Sequence, residues 1–186
     1  MSWAISPIHT TDSFDWPLTL DQKIEIFIAR VKGWQIQPAL DMIVEDIPHR
    51  HFAQMAIVMS YFEMIGKYRS GYLGIGESSK YFKGGMLFTF PDLPASELEL
   101  LRAFYKRVRC GLYHSGITGA RVRFYSNIPG SFGFHQELGE LVINPDQFVV
   151  DISIRFGLFS KELQDSSNFE LRCNFENRFN FDNDIK

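Results

Sequence analysis

Apolar residues recur at helical spacing soon after the first eighteen positions. Four of them share one face of a helix that the sequence predicts from Leu20 to about Lys32: Ile24, Phe27, Ile28 and Val31. Thr19 is placed to cap the first turn of this helix, and Gly33 is expected to end it. Residues 1–18 lack such periodicity and contain two prolines, which predicts an irregular arm.

The next three segments differ sharply in their patterns. A short helix is predicted over about 38–46, before Pro48. Residues 49–70 are apolar almost all the way around, which is typical of the central helix of a bundle, and Gly71 is placed to end it. The glycine-rich segment 72–94 predicts a long loop with a short helical piece.

A third long helix is predicted over 95–114, opened by Pro94 and Ser96 and closed by Gly116 and Gly119. Its apolar residues form a single stripe at helical spacing: Leu101, Phe104, Tyr105, Val108 and Leu112.

Beyond this helix the pattern changes to short alternating runs. Strands are predicted over 121–127, 132–136 and 140–143, around Pro129 and Gly130. Asn144 as N-cap and Pro145 at the first helical position predict a helix that continues to about Leu163. The phenylalanine-rich tail beyond Asn168 predicts one more helix, packed on the bundle or at a dimer interface.

These elements predict a mainly α fold, a helical bundle with a small β insertion at about 121–143. An irregular arm over 1–18 is expected to precede one domain over 19–186. The chain has 186 residues, of which 45% are hydrophobic and 15% aromatic, and this composition is typical of a folded globular domain with a sizeable core.

Charge and cysteine content narrow the possible functions. With 19 basic and 22 acidic residues, the chain has no general electrostatic attraction for nucleic acid, so any such binding must be local. Two cysteines, Cys110 and Cys173, indicate a reducing compartment rather than a disulfide scaffold. The start of the chain does not resemble a signal peptide, and no segment has the roughly 20 apolar residues of a membrane span. We expect a cytoplasmic protein without membrane contact.

Candidate chemistry is concentrated in the segment RCGLYHSG, residues 109–116. Arg109 and His114 stand five positions apart, so on an ideal α-helix their side chains point about 140° apart. They act on one ligand only if the helix loosens near Gly111 and Gly116, or if the histidine meets an arginine of a second chain. The spacing leaves both possibilities open.

Two further features surround this pair. On an ideal helix four side chains share the flank of the buried stripe: Arg102, Lys106, Arg109 and Tyr113. This row fits a groove for a phosphate backbone, with Tyr113 stacking on a base, although a solvated basic face has the same pattern. Glu63 is the only acid between Phe52 and Ile65, so it either pairs with a cation such as Arg109 or faces solvent through a gap.

Other known chemistries find little support in the sequence. His49 and His51 have no third ligand residue beside them, so we predict no metal site. The segment GYLGIGESSK does not match a phosphate-binding loop, and no G-x-S-x-G elbow is present. No cofactor is predicted.

The R-x-x-x-x-H motif of Arg109 and His114, at the end of a helix, resembles the signature of the HEPN superfamily, compact helical bundles that include many RNases. The preceding segment SYFEMIGKYRSG resembles the helix before the motif helix, and the likeness covers roughly residues 20–165. It implies metal-independent RNA cleavage by a homodimer whose two motifs face each other. His114 would then act as general acid or base toward the ribose 2′-hydroxyl, and Arg109 would bind the scissile phosphate.

The residue after the motif arginine departs from the family pattern. Many active members place Asn, Asp or His there, whereas this chain has Cys110, a weak hydrogen-bonding group. An alternative is therefore an inactive dimerising module that binds RNA, a nucleotide or a partner protein. In a third interpretation the protein is purely structural and the motif is coincidental. The family resemblance further implies a role in toxin–antitoxin systems or phage defence, with an antitoxin or regulatory protein as partner.

Overall fold

The computed structural model describes residues 2–93 and 97–185. It is 62% helical and has one small three-stranded sheet, so the predicted mainly α fold with a β insertion is confirmed. The α-helices within the described residues are α1 (Leu20–Val31), α2 (Gln37–Val44), α3 (His51–Ser70), α4 (Ser78–Thr89), α5 (Leu98–Ala103), α6 (Cys110–Ser115), α7 (Pro145–Gln164) and α8 (Phe169–Asp182). The strands there are β1 (Val122–Phe124), β2 (Phe132–His135) and β3 (Glu140–Ile143).

The first helix begins as predicted but does not end as predicted. The Thr19 hydroxyl accepts the Gln22 amide at 3.3 Å, and the Gln22 side chain accepts the Thr19 amide at 2.8 Å, which forms a capping box. Gly33 does not end the helix, because a π-helical turn over Lys32–Ile36 joins α1 to α2. A Cβ at Gly33 would overlap the ring of Pro7, so this glycine makes room for the N-terminal arm.

The long loop with a short helical piece predicted over 72–94 is wrong in the extent of the helix, since α4 occupies twelve of these residues. One of its two glycines, Gly85, lies where α4 crosses α3. A Cβ at Gly85 would overlap the carbonyl oxygen of Phe62, and a Cβ at Gly66 on α3 would overlap that of Tyr81. The glycines therefore allow two helices to approach closely, a tertiary demand that overrides their low helix propensity.

The third long helix is one rod made of three parts. Helix α5 continues into a π-helical segment, Phe104–Arg109, and then into α6. Gly116 ends the rod with φ of +71°, as predicted. Its start, predicted at Pro94 and Ser96, lies outside the described residues.

The sheet has the order β1-β3-β2, with β3 parallel to β1 and antiparallel to β2. Leu141 and Ile143 of β3 are buried in the core. Helix α7 follows directly, and the Asn144 side chain caps it by accepting the Gln147 amide at 3.2 Å, as predicted. The insertion thus packs one strand face against the bundle.

The phenylalanine-rich tail forms α8, which packs on α1 and α3. The Phe175 ring lies 5.2 Å from that of Phe27 and 5.4 Å from that of Tyr68, measured between centroids. The predicted packing of the tail on the bundle is confirmed, and its place at a dimer interface stays a prediction. None of the described helices combines the length and the apolar character required to cross a bilayer.

Candidate functional site

Arg109 is held by a carboxylate from the central helix. Its Nη2 atom donates to Oε2 of Glu63 at 3.0 Å. The other carboxylate oxygen of Glu63 accepts from Nζ of Lys67 and from Oγ of Ser78, both at 2.7 Å. The pairing of Glu63 with Arg109, one of two alternatives left open by the sequence, is therefore confirmed.

The charges of this cluster stabilise one another. The side chain of Glu63 is only 14% exposed, and this burial by itself would raise its pKa. Hydrogen bonds from Lys67 and Ser78, together with the charges of Lys67 and Arg109, outweigh the burial and hold the pKa of Glu63 below its usual value. Glu63 is thus ionised at neutral pH and fixes the direction of the Arg109 guanidinium.

Two tyrosine rings flank the same guanidinium. Its Cζ atom lies 5.1 Å from the ring centroid of Tyr113 and 5.7 Å from that of Tyr105, distances at which a cation is attracted to an aromatic face. Tyr113 is half-exposed, whereas Tyr105 packs against the core. Arg109 therefore has a packed side and a side open to solvent.

The open side faces a cleft of about 240 Å³, which we call the Arg109 cleft. It lies between α3, the helical segment that carries Arg109 and Tyr113, and α8. Helix α8 supplies Arg178 and Asp182, which form an ion pair. The cleft is lined by three cations and two carboxylates: Lys67, Arg109, Arg178, Glu63 and Asp182. It therefore has a positive balance, while the whole chain has a formal charge of −3.

Three of these residues, Lys67, Arg178 and Asp182, were missed by reasoning from the sequence. Arg178 and Asp182 stand four positions apart on the tail helix, and an oppositely charged pair at this spacing is a recognisable signal. This spacing indicates only an ion pair on the surface of one helix. It carries no information about the neighbouring Glu63 and Arg109, which belong to other helices.

His114 lies apart from this cluster. It is exposed on the last turn of α6, and it does not line the Arg109 cleft. Residues Cys110–Ser115 remain α-helical, so no loosening of the helix turns His114 toward Arg109. One copy of the chain therefore does not bring the two motif residues together.

The predicted row of four side chains is split into two pairs. Arg102 and Lys106 are exposed and line a separate cleft of about 320 Å³ beside β2, together with Arg107. Arg109 and Tyr113 face α3 instead. The π-helical segment Phe104–Arg109 is the reason, because one additional residue in a turn rotates everything after it by roughly 100°.

No family model, curated protein or solved structure matches this chain. Among the described residues, no group of three or more His, Cys, Asp or Glu side chains is placed to hold a metal ion. Function is therefore inferred from the side chains around the Arg109 cleft and from the resemblance carried by the R-x-x-x-x-H motif.

Proposed function

We propose that this chain is a metal-independent endoribonuclease of the HEPN type, with Arg109 and His114 as its catalytic pair. The observation that carries the proposal is the state of Arg109: its guanidinium is anchored by Glu63 at 3.0 Å, yet one side is open to a positively charged cleft. An anchored guanidinium is well suited to bind a phosphate and to stabilise the charge that builds up on it during cleavage.

A second copy of the chain completes the proposed site. Since His114 is exposed and does not line the Arg109 cleft of its own chain, it serves the Arg109 cleft of the partner protomer in a homodimer. The imidazole takes the proton of the ribose 2′-hydroxyl or delivers one to the leaving 5′-oxygen. The 2′-oxygen attacks phosphorus, the bond to the 5′-oxygen breaks, and a 2′,3′-cyclic phosphate remains. DNA lacks the attacking group and is not cleaved.

The decisive experiment is cleavage of a panel of single-stranded and structured RNAs in EDTA by the wild type and by His114→Ala. We expect cyclic phosphate ends from the wild type and a rate lower by roughly 100-fold or more for the variant, as for the loss of a general acid or base. Because His114 is exposed, its removal should leave the unfolding temperature unchanged.

The matched control is His135→Ala, which removes an exposed histidine from β2 and should cleave like the wild type. Sedimentation equilibrium establishes whether the wild type is a dimer. A monomeric wild type, or a His114→Ala variant that cleaves at the wild-type rate, contradicts the two-protomer site.

The second candidate is a dimerising module that binds RNA without cleaving it. Cys110 favours it, because a thiol directly follows Arg109 where active relatives of the proposed family have a stronger hydrogen-bonding group. A folded, dimeric wild type that binds RNA through Arg109 and leaves the whole panel intact would establish this alternative. In either case an antitoxin or regulatory protein would act by covering the Arg109 cleft.

A further inference from the structure

A second cleft adjoins the Arg109 cleft. It measures about 290 Å³ and shares three lining residues with its neighbour: Met64, Tyr68 and Asp182. Trp34 and Gln35 line its other side, and both belong to the π-helical turn Lys32–Ile36. We call this space the Trp34 cleft. The two clefts therefore lie side by side, separated by these three shared residues.

The Trp34 cleft contains the groups that recognise a nucleobase. The indole of Trp34 is 51% exposed, so an aromatic face is available for stacking. Arg30 lines the same cleft, and its guanidinium is fixed by hydrogen bonds to the Asn183 side chain at 2.8 Å and to the Ile5 carbonyl at 2.6 Å. An aromatic face beside a positioned cation is the combination used to bind bases of single strands.

Gln35, which lines the same cleft, has an acceptor atom without a hydrogen-bond partner among the described residues. Nε2 of Gln35 donates to the Ser60 hydroxyl at 3.0 Å, but the buried Oε1 atom of Gln35 has no hydrogen-bond partner among the described residues. Buried polar atoms normally have a partner. The amino group of a base would provide one if the Gln35 amide turned toward the cleft.

Each of the two π-helical segments of the described chain borders one of these clefts. One contains Trp34, and the other ends at Arg109. Such turns are rare in proteins and are frequently found at functional sites. Here they place an aromatic surface on one side of α3 and a phosphate-binding guanidinium on the other.

We propose that the Trp34 cleft is the subsite for one unpaired base of single-stranded RNA whose neighbouring phosphate is bound by Arg109. The inference rests on the proposed function, and it adds the substrate class: the strand must be unpaired next to the bound phosphate. In a double helix each base is stacked and paired, so none is free to enter the cleft and stack on Trp34.

The test uses tryptophan fluorescence and binding, neither of which requires cleavage. The chain has three tryptophans, so the variant Trp3→Phe/Trp16→Phe leaves Trp34 as the only one. Adding His114→Ala prevents turnover during the titration. We expect a single-stranded 12-mer of adenylate or uridylate to quench the fluorescence of Trp34, and a blunt-ended RNA duplex of the same length to leave it unchanged.

Affinity measurements supply the second arm. Trp34→Ala should weaken binding of the single strand roughly tenfold, the loss expected when one stacked base is removed, and Trp34→Phe should restore most of it. The matched control is Trp16→Ala, because Trp16 is 55% exposed and lines neither cleft. This control should bind like the wild type.

The outcomes separate this inference from the proposed nuclease activity. Three outcomes would each overturn the subsite, whatever the cleavage assay shows. The fluorescence of Trp34 does not change when the single strand binds, the duplex quenches it equally, or Trp34→Ala binds the single strand with wild-type affinity. Binding that depends on Trp34 in a wild type that cleaves no RNA would support the subsite and overturn the nuclease.

Discussion

Glu63 has three hydrogen-bond donors around its carboxylate, and they differ in how far they stand from it along the chain. Lys67 is four positions away on the same helix, where pairing follows from helical spacing alone. Ser78 is 15 positions away and Arg109 is 46 positions away, so the folded chain has to bring them in. At the scale of single residues, this carboxylate positions the group on which the proposed function depends.

Glu63→Gln should therefore destabilise the protein. The amide cannot neutralise the buried Lys67 and the partly buried Arg109, and we expect the free energy of unfolding at pH 7 to fall by roughly 1–3 kcal/mol. Urea denaturation measures this loss. The control is Glu137→Gln, an exposed position at which the change should stay within about 0.5 kcal/mol.

The loss of stability in Glu63→Gln should depend on pH. Because the pKa of Glu63 is lowered by folding, its stabilisation is present above the unfolded pKa of about 4.3 and is lost as the pH falls through the folded pKa. The difference in stability between the wild type and Glu63→Gln should thus shrink between pH 5 and the acid range. A difference that grows as the pH falls would contradict the lowered pKa.

At the scale of elements, the contact between α3 and α4 depends on glycines. Two of them, Gly66 and Gly85, lie where a side chain would collide with the facing backbone, so the two helices approach more closely than residues with a Cβ allow. The floor of the Arg109 cleft belongs to α3, and Ser78 at the start of α4 binds Glu63. The helix crossing therefore also positions the site.

Adjacent glycines on α4 should respond in opposite ways to alanine. A Cβ at Gly84 would meet no atom within 4 Å, so Gly84→Ala should raise the free energy of unfolding by roughly 0.5–1 kcal/mol through helix propensity. Gly85→Ala should lower it by roughly 1–3 kcal/mol, because its methyl group overlaps the Phe62 carbonyl. Thermal denaturation compares them, and equal effects would contradict the close packing.

At the scale of the whole molecule, α8 closes the bundle. Phe175 and Phe179 are buried against the other helices, and Nη1 of Arg178 donates to the carbonyls of Tyr72 at 2.7 Å and Gly74 at 3.0 Å. The same helix lines the Arg109 cleft with Arg178 and Asp182. The tail is thus part of both the core and the candidate site.

Two phenylalanines of α8 test this role. Phe175→Ala should lower the free energy of unfolding by roughly 3–5 kcal/mol, the loss for emptying a buried phenylalanine site. Phe169→Ala removes the same side chain from a position on this helix that is 79% exposed, and it should change stability by less than about 0.5 kcal/mol. Urea denaturation measures both variants. If the loss for Phe175→Ala is as small as that for Phe169→Ala, α8 is not part of the cooperative core.

The sequence by itself determined the features that depend on neighbours a few positions away. Thr19 and Asn144 begin their helices with caps formed inside one turn, and Gly71 and Gly116 end theirs with positive φ angles. The mainly α fold with a β insertion follows from the same local periods. These signals are readable because each interaction is completed within the segment that contains it.

Only the tertiary structure decided what happens where segments meet. Gly33 and Gly85 look like helix breakers in isolation, yet both lie inside helical rods because another part of the chain requires the space. The π-helical segment that ends at Arg109 places this residue and Arg102 in different clefts, and Glu63 reaches Arg109 across the bundle. The physical reason is common to all of them: close packing and burial of charge involve residues far apart along the chain, and local patterns carry no record of that distance.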